Sequence, residues 1–574
     1  MRVARSQCRD DDVACDETLD YTGGRFYALA NAAQLGLRVG GNMPEGLDRP
    51  TDMLSDTERL HQMGYAQELN RNMSRFSNFA ISFTIISILS GCLTLYSYGL
   101  SHGGPPTMIW GWVLVGGLVM FAGLSMAEIC SAYPTAGGLY YWAAKLAPGK
   151  SGPIWSWFAG WFNLLGQVAV TAGITFGCGY SVAAFLQLLT GHISWTSAGH
   201  VVAITGILLF LQGLINTFGV SIVSLFNKVS VWWHLFGVAV IVVLLYIAPS
   251  SHSHQSMSFI FGSAGWHAFS GLSGFSAPFY VFLLGLLVAQ YTFTGYDASA
   301  HVTEETHNAA ISGPKGIVSS IWVSWVAGFI LLVGVSAAIP HAFPFSLAGS
   351  TYSSYADVPG AFGGAPWVMI FEHATGRVLG ELLVLVVIGA QFFCGIASVT
   401  ANSRMIYAFS RDGAVPFSDY FHHVSKRSHV PVHSAWFGAV GAFILSATYL
   451  KSAVAYFAVT SVAVIGLYVA YLIPVFLRRI NSTAFVPGPW KLGKWGPFIN
   501  WVAIIWVAFI CVLFMLPTAS PITFSDFNFT PVAVAVVLGF AGIWYAVSAR
   551  KWFKGPKIQG TAEELAAIEH DLSI

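Results

Sequence analysis

The chain has 574 residues, of which 55% are hydrophobic, 15% aromatic and only 9% charged. This excess of apolar side chains is larger than one soluble core needs, which argues against a soluble globular enzyme. Lys and Arg total 27 against 26 Asp and Glu, and no basic block is long enough to neutralise many phosphates. Nucleic acid is therefore not expected as a partner.

The charges are concentrated at the two ends of the chain. Residues 1–75 carry 21 charged side chains and residues 550–574 carry 8, which leaves 24 for the 474 residues between them. Because an ionised side chain at the centre of a membrane helix costs at least ~2.5–3.5 kcal/mol, this depletion indicates residence in a lipid bilayer. We expect an N-terminal tail over 1–75 that is largely disordered, up to about Pro50, a transmembrane domain over 76–549 and a C-terminal tail over 550–574.

Twelve apolar runs reach the length of about 20 residues that a membrane helix needs. In chain order they are predicted at Phe76–Leu100, Met108–Cys130, Pro153–Leu189, His200–Val220, Leu225–Ala248, Ser276–Ala300, Gly316–Pro340, Gly380–Ala401, His433–Leu450, Val454–Leu477, Pro497–Pro517 and Pro531–Ala549. Strands of a membrane barrel are about 10 residues of alternating polarity, whereas these runs are continuous. The predicted fold class is an all-α membrane protein with twelve transmembrane helices.

The basic residues predict the orientation of these spans. With both termini in the cytoplasm, the inside loops, their flanks and the first residues of the C-terminal tail carry 16 Lys and Arg, and the outside loops carry only 2. Since cytoplasmic loops are enriched in Lys and Arg, this count favours cytoplasmic termini.

An internal repeat is the second feature of the membrane domain. Polar residues interrupt both the first and the sixth predicted span, and the two interruptions lie about 200 residues apart. Five spans in each block (76–248 and 276–477) give the second block the opposite orientation, with two extra helices over 497–549. A five-plus-five inverted repeat with discontinuous helices 1 and 6 indicates a secondary transporter.

The interruptions place small and hydroxyl residues at mid-depth. The candidate substrate-binding residues are Ser87, Ser90, Gly91 and Cys92 in span 1 and Phe293, Thr294, Gly295 and Tyr296 in span 6. A broken helix frees N–H groups for a carboxylate and carbonyl groups for an ammonium, so a zwitterion is the expected ligand. The alternative is that Ser90 and Gly91 only allow close helix packing.

Several ordered segments carry a resemblance to a known family. They are Ser87–Gly91 with Gly103-Gly104-Pro105 and Trp110-Gly111-Trp112, Ala127-Glu128 with Ser131–Trp142, Phe293–Asp297 with Thr303-Glu304-Glu305, and Asn402–Gly413 with Pro416 and Val430-Pro431-Val432. In these segments the chain resembles the amino acid/polyamine/organocation (APC) transporter superfamily, and within it the amino-acid/choline and GABA permease branch. The resemblance implies the five-plus-five core and alternating access. The first broken helix departs from the common Gly-Ser-Gly, because it reads Leu89-Ser90-Gly91-Cys92.

Three ionisable residues are candidates for gating or coupling. The resemblance assigns Glu128, at the cytoplasmic end of span 2, to a gate; the alternative is an interfacial carboxylate paired with an arginine such as Arg404 or Arg411. Asp297 is the only acid deep in a central span, where an unpaired carboxylate is costly. It is assigned either to gating and substrate control or to structural hydrogen bonding of the broken helix.

His234 in span 5 is the third candidate. It lies seven positions after Asn227, on the same helix face. The superfamily often has lysine at this point, and histidine, with an unperturbed pKa near 6.5, suits proton coupling. The alternative is a neutral histidine that bridges helices.

The sequence thus predicts a proton-driven permease of the plasma membrane that carries an amino acid or a related small zwitterion or amine, such as GABA, choline or a polyamine. No cofactor or metal is expected, and the chain has no GxxxxGK[ST] loop that would bind ATP. An intramembrane enzyme would need a nucleophile, a base and an orienting group at one depth, and the sequence shows no such set. The alternative function is a transporter-like nutrient receptor that signals through its N-terminal tail.

Overall fold

The structure is a computed structural model that describes residues 54–247, 254–268, 278–426, 428–451, 454–523 and 527–572. The disorder predicted for the N-terminal tail up to about Pro50 lies outside the described residues, as do the predicted span ends at Ala248 and Ser276.

The described chain is mostly helical. Its first α-helices are α1 (Asp56–Gln62), α2 (Arg75–Ile86), α3 (Ile88–Thr94), α4 (Tyr96–Ser101), α5 (Gly104–Ala132), α6 (Gly138–Leu146), α7 (Gly152–Thr190), α8 (Ala198–Thr217), α9 (Val220–Ile247), α10 (Met257–Phe261), α11 (Pro278–Gly285), α12 (Leu287–Thr292), α13 (Ala298–His301) and α14 (Ala309–Ala337). A short antiparallel hairpin of β1 (Phe345–Leu347) and β2 (Ser350–Tyr352) follows. The remaining α-helices are α15 (Pro366–Thr375), α16 (Arg377–Arg411), α17 (Ser418–Phe421), α18 (Val432–Ala447), α19 (Val454–Ile480), α20 (Gly496–Leu513), α21 (Thr530–Trp544), α22 (Arg550–Trp552) and α23 (Ala562–Leu572).

Ten helices of the described residues are long and apolar enough to cross a membrane. They correspond to ten of the twelve predicted spans. The predicted sixth span falls on the shorter apolar segment Pro278–Thr292, because the chain leaves the helical conformation at Phe293. The predicted ninth span falls on α18, which has 16 residues.

Local sequence explains several helix ends. The hydroxyl of Ser74 accepts a hydrogen bond from the N–H of Ser77 at 3.2 Å and so caps the first turn of α2. The 39-residue helix α7 ends at Gly191, whose φ of 72° is the left-handed conformation that glycine adopts without strain.

The helices pack closely inside the bundle and leave apolar side chains on its outside. A Cβ at Gly466 of α19 would lie 2.8 Å from the Cα of Gly166 on α7, so these two backbones touch. Large apolar residues such as Trp232, Phe236 and Ile543 are exposed on outer faces. Such a surface matches hydrocarbon rather than water.

The segments that precede α2 and follow α22 lie together at one end of the bundle, which we call the terminal end. Nε2 of His61 lies 2.7 Å from Oε1 of Glu569, and the N–H of Gln559 donates to the carbonyl of Gly64 at 2.8 Å. Helix α2 starts at the terminal end and directs α3 away from it.

Candidate functional site

The first interrupted helix changes direction at Ser87. Helix α2 ends at Ile86 and α3 begins at Ile88, and between them Ser87 has a φ of 38°, in the left-handed region that is costly for a residue with a side chain. Its Oγ lies 2.7 Å from Nε2 of His234 on α9. A side-chain contact between two helices therefore holds the interruption.

His234 is completely buried, and both ring nitrogens have partners. Nδ1 lies 2.8 Å from the carbonyl oxygen of Ser230, which only accepts, so Nδ1 carries a hydrogen. If the ring is neutral, Nε2 then accepts from the Ser87 hydroxyl. The histidine proposed from the sequence as a coupling residue therefore contacts the first interruption directly. A neutral imidazole satisfies its contacts with both Ser230 and Ser87.

The second interruption covers residues 293–297, between α12 and α13. Gly295 has a φ of 84°, and the carbonyl of Phe293 accepts a hydrogen bond from the Tyr468 hydroxyl at 2.6 Å. The Phe293 ring packs on Trp112 of α5 with ring centroids 4.4 Å apart. The hydroxyl of Thr294 donates to the carbonyl of Tyr291 at 2.6 Å, which continues the turn past the end of α12.

The two interruptions face each other. A Cβ added at Gly91 would lie 2.5 Å from Oγ1 of Thr292, and a Cβ at Gly295 would lie 2.2 Å from Cγ2 of Ile85. Each glycine thus packs against the other interrupted helix. The other six predicted substrate-binding residues are also buried, namely Ser87, Ser90, Cys92, Phe293, Thr294 and Tyr296.

Asp297 lies directly before α13 and accepts hydrogen bonds from two other helices. Its Oδ1 accepts from the Tyr471 hydroxyl at 2.7 Å, and its Oδ2 accepts from Nε2 of Gln167 at 2.9 Å. Oδ2 also lies 3.2 Å from Nε2 of His301. The predicted need for a partner is met by three side chains, while Tyr471 also accepts from the N–H of Gly295 at 3.3 Å.

Glu128 lies apart from this cluster, near the terminal end. Its Oε2 is 3.7 Å from Nε of Arg478, and its Oε1 accepts from the N–H of Leu492 at 3.0 Å. The predicted pairing of Glu128 with Arg404 or Arg411 is wrong, because these two arginines form ion pairs with two other glutamates.

Those glutamates follow α13 and form buried ion pairs with α16. Glu305 Oε1 lies 2.8 Å from Arg404 Nη2, and Glu304 Oε1 lies 3.2 Å from Arg411 Nη2. Burial by itself would raise the pKa of Glu304, but the Arg411 guanidinium and the N–H of Ala136 hold this pKa below its ordinary value. The terminal end is therefore closed by charge pairs that link the segment after α13 to α16.

A cavity of about 210 Å³ lies on the side of the interruptions away from the terminal end. Thr94, one helical turn beyond Gly91, lines it together with Phe176, Tyr180 and Trp367. The interrupted helices thus lie between this cavity and the ion pairs at the terminal end.

Sequence reasoning missed four side chains that contact the interruptions or Asp297: Gln167, His301, Tyr468 and Tyr471. One signal was readable, since His301 follows Asp297 by four positions, the spacing of neighbours on a helix face. The other three come from α7 and α19, whose approach to α13 is a tertiary contact without a local signature.

The sequence model of a family described as "Amino acid permease" matches residues 73–540. Amino-acid permease BAT1 of Arabidopsis thaliana is 44% identical over 512 residues, which cover 88% of this chain and 96% of that protein. The GABA-specific permease of Saccharomyces cerevisiae is 29% identical over 570 residues, 96% of this chain and 95% of that protein.

A solved structure shares the architecture. The crystal structure of MhsT in complex with L-phenylalanine matches with a TM-score of 0.54 and 15% identity, over 77% of this chain and 99% of that chain. That transporter has the LeuT fold, which the helices of this chain therefore share.

Proposed function

The chain belongs to the amino acid permease family, and we propose that it is a secondary active transporter of amino acids or related small zwitterions and amines in the plasma membrane. Permease relatives that align over most of the chain indicate a transporter and not an enzyme. They do not favour the nutrient-receptor alternative. The proposed substrate class includes GABA and choline, because backbone groups of broken helices can recognise a carboxylate or a positively charged nitrogen.

We place the substrate between the two interruptions. The observation that carries this proposal is the reciprocal contact of Gly91 with Thr292 and of Gly295 with Ile85, which brings both helix breaks to one depth. Helix ends present N–H or carbonyl groups without helical partners, and these suit the two charges of a zwitterion. The proposed contacts are Ser87, Ser90, Gly91 and Cys92 from the first break and Phe293, Thr294, Gly295 and Tyr296 from the second.

Alternating access would open the two ends of the bundle in turn. In the proposed topology twelve spans form a five-plus-five inverted repeat with two extra helices, and the terminal end faces the cytoplasm. The ion pairs of Glu304 and Glu305 then form the cytoplasmic closure, with Glu128 as a further gate residue beside them. The cavity beyond Thr94 would be the external approach to the site.

We further propose that protons drive uptake. His234 and Asp297 are the candidate coupling residues, because each connects an interruption to a neighbouring helix through a titratable side chain. A proton taken up at either residue would change the hydrogen bonds that hold a break.

The test is uptake of a labelled mixture of L-amino acids, GABA and choline into proteoliposomes that contain the purified protein. Gly91→Ala should reduce uptake at least tenfold, because the new methyl would push α12 away through Thr292. The matched control is Gly539→Ala, a helical glycine with no atom within 4 Å of an added Cβ, which should transport normally. No uptake by the wild type in any gradient would contradict the proposed function, and normal uptake by Gly91→Ala would contradict the proposed site.

A further inference from the structure

Both ring nitrogens of His301 face hydrogen-bond acceptors. Nδ1 lies 2.9 Å from the carbonyl oxygen of Ala136, and Nε2 lies 3.2 Å from Oδ2 of Asp297. The carbonyl only accepts, so Nδ1 carries a hydrogen. Nε2 then faces a carboxyl group, and two lone pairs would oppose each other unless a proton lies between them. Both side chains are 0% exposed, so no bulk water separates them.

We propose that Asp297 and His301 together hold one transferable proton, and that this is the proton that crosses the membrane with the substrate. This inference rests on the proposed proton-driven transport. The proton is shared either as imidazolium with carboxylate or as neutral imidazole with carboxylic acid, and in both forms the pair has no net charge. Loss of the proton leaves one uncompensated negative charge in a buried site.

Among the residues that the structure describes, no cation faces the pair and could replace this proton. From α7 the pair is faced by the neutral amides of Asn163 and Gln167. The titratable groups that face Asp297 are tyrosines, namely Tyr296 on its own segment and Tyr468 and Tyr471 on α19. The arginines of α16 are already bound to Glu304 and Glu305.

Asn163 fits a protonated His301 once its side-chain amide is flipped. Its Nδ2 is placed 3.3 Å from Nε2 of His301, while its Oδ1 has no partner among the described atoms. The two amide atoms exchange by a flip of the side chain, and the flipped Oδ1 would accept from a protonated Nε2.

The pair is connected to the proposed substrate site through Tyr471. The hydroxyl of Tyr471 donates to Oδ1 of Asp297 at 2.7 Å and accepts from the N–H of Gly295 at 3.3 Å. A change of charge on Asp297 therefore acts through one hydroxyl on the backbone of the second interruption. Substrate binding at that backbone and proton binding at the pair would then depend on each other.

The pair is also connected to the closure at the terminal end through a single residue. The carbonyl of Ala136 accepts from His301, and the N–H of Ala136 donates to Oε1 of Glu304 at 2.9 Å. Separation of Glu304 from Arg411 would move Ala136 and admit water to His301. The proton would leave to that side only when the closure opens, which is the order that symport requires.

The experiment uses the full chain in proteoliposomes, with a labelled mixture of L-amino acids and GABA, without choline, as probe. An inward gradient of one pH unit should drive about tenfold accumulation if one proton accompanies each substrate. Asp297→Asn imitates the neutral pair, and His301→Gln retains a hydrogen-bonding side chain without a titratable group. Both should accumulate no more than the equilibrium ratio of one while still exchanging labelled for unlabelled probe at a reduced rate.

The matched control is His102→Gln. His102 is also buried, with Nδ1 2.8 Å from the carbonyl of Tyr98, and it lies outside the proposed site. The His102→Gln variant should accumulate the probe about tenfold, as the wild type does. Gradient-driven accumulation by both Asp297→Asn and His301→Gln would overturn the inference, whereas absence of exchange in the wild type would contradict the proposed function instead.

A measurement on the wild type keeps the inference testable if both variants fail to fold. Nitrogen NMR of histidine and infrared spectroscopy of carboxyl groups, both at pH 8, should show either one buried imidazolium or one buried protonated carboxyl. The absence of both signals at pH 8 would overturn the inference, and this test requires no variant.

Discussion

Ser87 combines an unfavourable backbone conformation with a favourable side-chain contact. Its φ of 38° is one that glycine adopts freely, yet only a side chain supplies the oxygen that contacts His234. Strain at a helix break is retained where the surrounding structure stabilises it, and it occurs often at ligand sites. The break is thus held by a contact with α9 rather than by backbone preference.

Substitutions at Ser87 separate these two contributions. Ser87→Ala removes the hydroxyl but keeps the strained conformation, whereas Ser87→Gly removes the hydroxyl and the strain together. We expect Ser87→Gly to be more stable than Ser87→Ala by about 1 kcal/mol, which is the usual cost of a left-handed residue with a Cβ. Thermal unfolding of the purified variants measures this difference, and a lower Tm for Ser87→Gly would show that backbone rigidity matters more than strain.

At the scale of elements, the segment directly after α13 is joined to α16 by ion pairs that are almost completely buried. The side chains of Glu305 and Arg404 are 0% and 1% exposed and lie 2.8 Å apart. A buried ion pair stabilises the folded state little more than two apolar residues in the same place would. Removal of one partner, however, leaves an unpaired buried charge. This closure is therefore sensitive to single changes and tolerant of paired ones.

Arg404→Met should destabilise the protein by about 3–5 kcal/mol, because Glu305 would lose its buried partner. Glu305→Gln combined with Arg404→Met should recover most of this loss, since no charge is left unpaired. Chemical denaturation in detergent measures the free energy of unfolding of both. If the double variant were no more stable than Arg404→Met, the two residues would not act as a pair.

The sequence predicted the elements well where one signal dominates. A long apolar run defines a membrane helix, and α7 over Gly152–Thr190 departs from its prediction by one residue at each end. The sixth span could be located but not delimited, because its helix stops where Tyr468 and Tyr471 bind the chain from α19. Those contacts join residues about 175 positions apart. The partners of Glu128 and Asp297 were unpredictable for the same reason, whereas the i, i+4 relation of Asp297 to His301 was present in the sequence.

At the scale of the whole molecule, Asp412 joins the described segments that precede α2 and follow α22 to the membrane bundle. This residue follows α16 and is 0% exposed; its Oδ1 accepts from the N–H of Lys557 at 2.8 Å and its Oδ2 from the Tyr65 hydroxyl at 3.0 Å. The Arg411 guanidinium lies 3.7 Å from the centroid of the Tyr65 ring. The same helix end therefore contacts the N-terminal segment, the C-terminal segment and the closure formed by Glu304.

Burial raises the pKa of Asp412 from 3.8 to about 7, although Lys557 and Tyr65 act in the opposite direction. The folded chain thus binds more protons than the unfolded chain between pH 3.8 and about 7. The stability contributed by this site consequently falls as the pH rises through that interval and is lowest above pH 7. We expect residues 553–572 to be released from the bundle more often at pH 8 than at pH 6.

Hydrogen exchange of residues 553–572 at the two pH values, corrected for intrinsic rates, tests this expectation. The wild type should show several-fold lower protection at pH 8 than at pH 6. Asp412→Asn keeps an oxygen for the N–H of Lys557 and has no titratable group, so its protection should be equal at both pH values. Glu563→Gln is the control, because Glu563 is an exposed acid on α23 and its removal should leave the pH dependence intact. If Asp412→Asn retained the pH dependence of the wild type, a group other than Asp412 would control the attachment of residues 553–572.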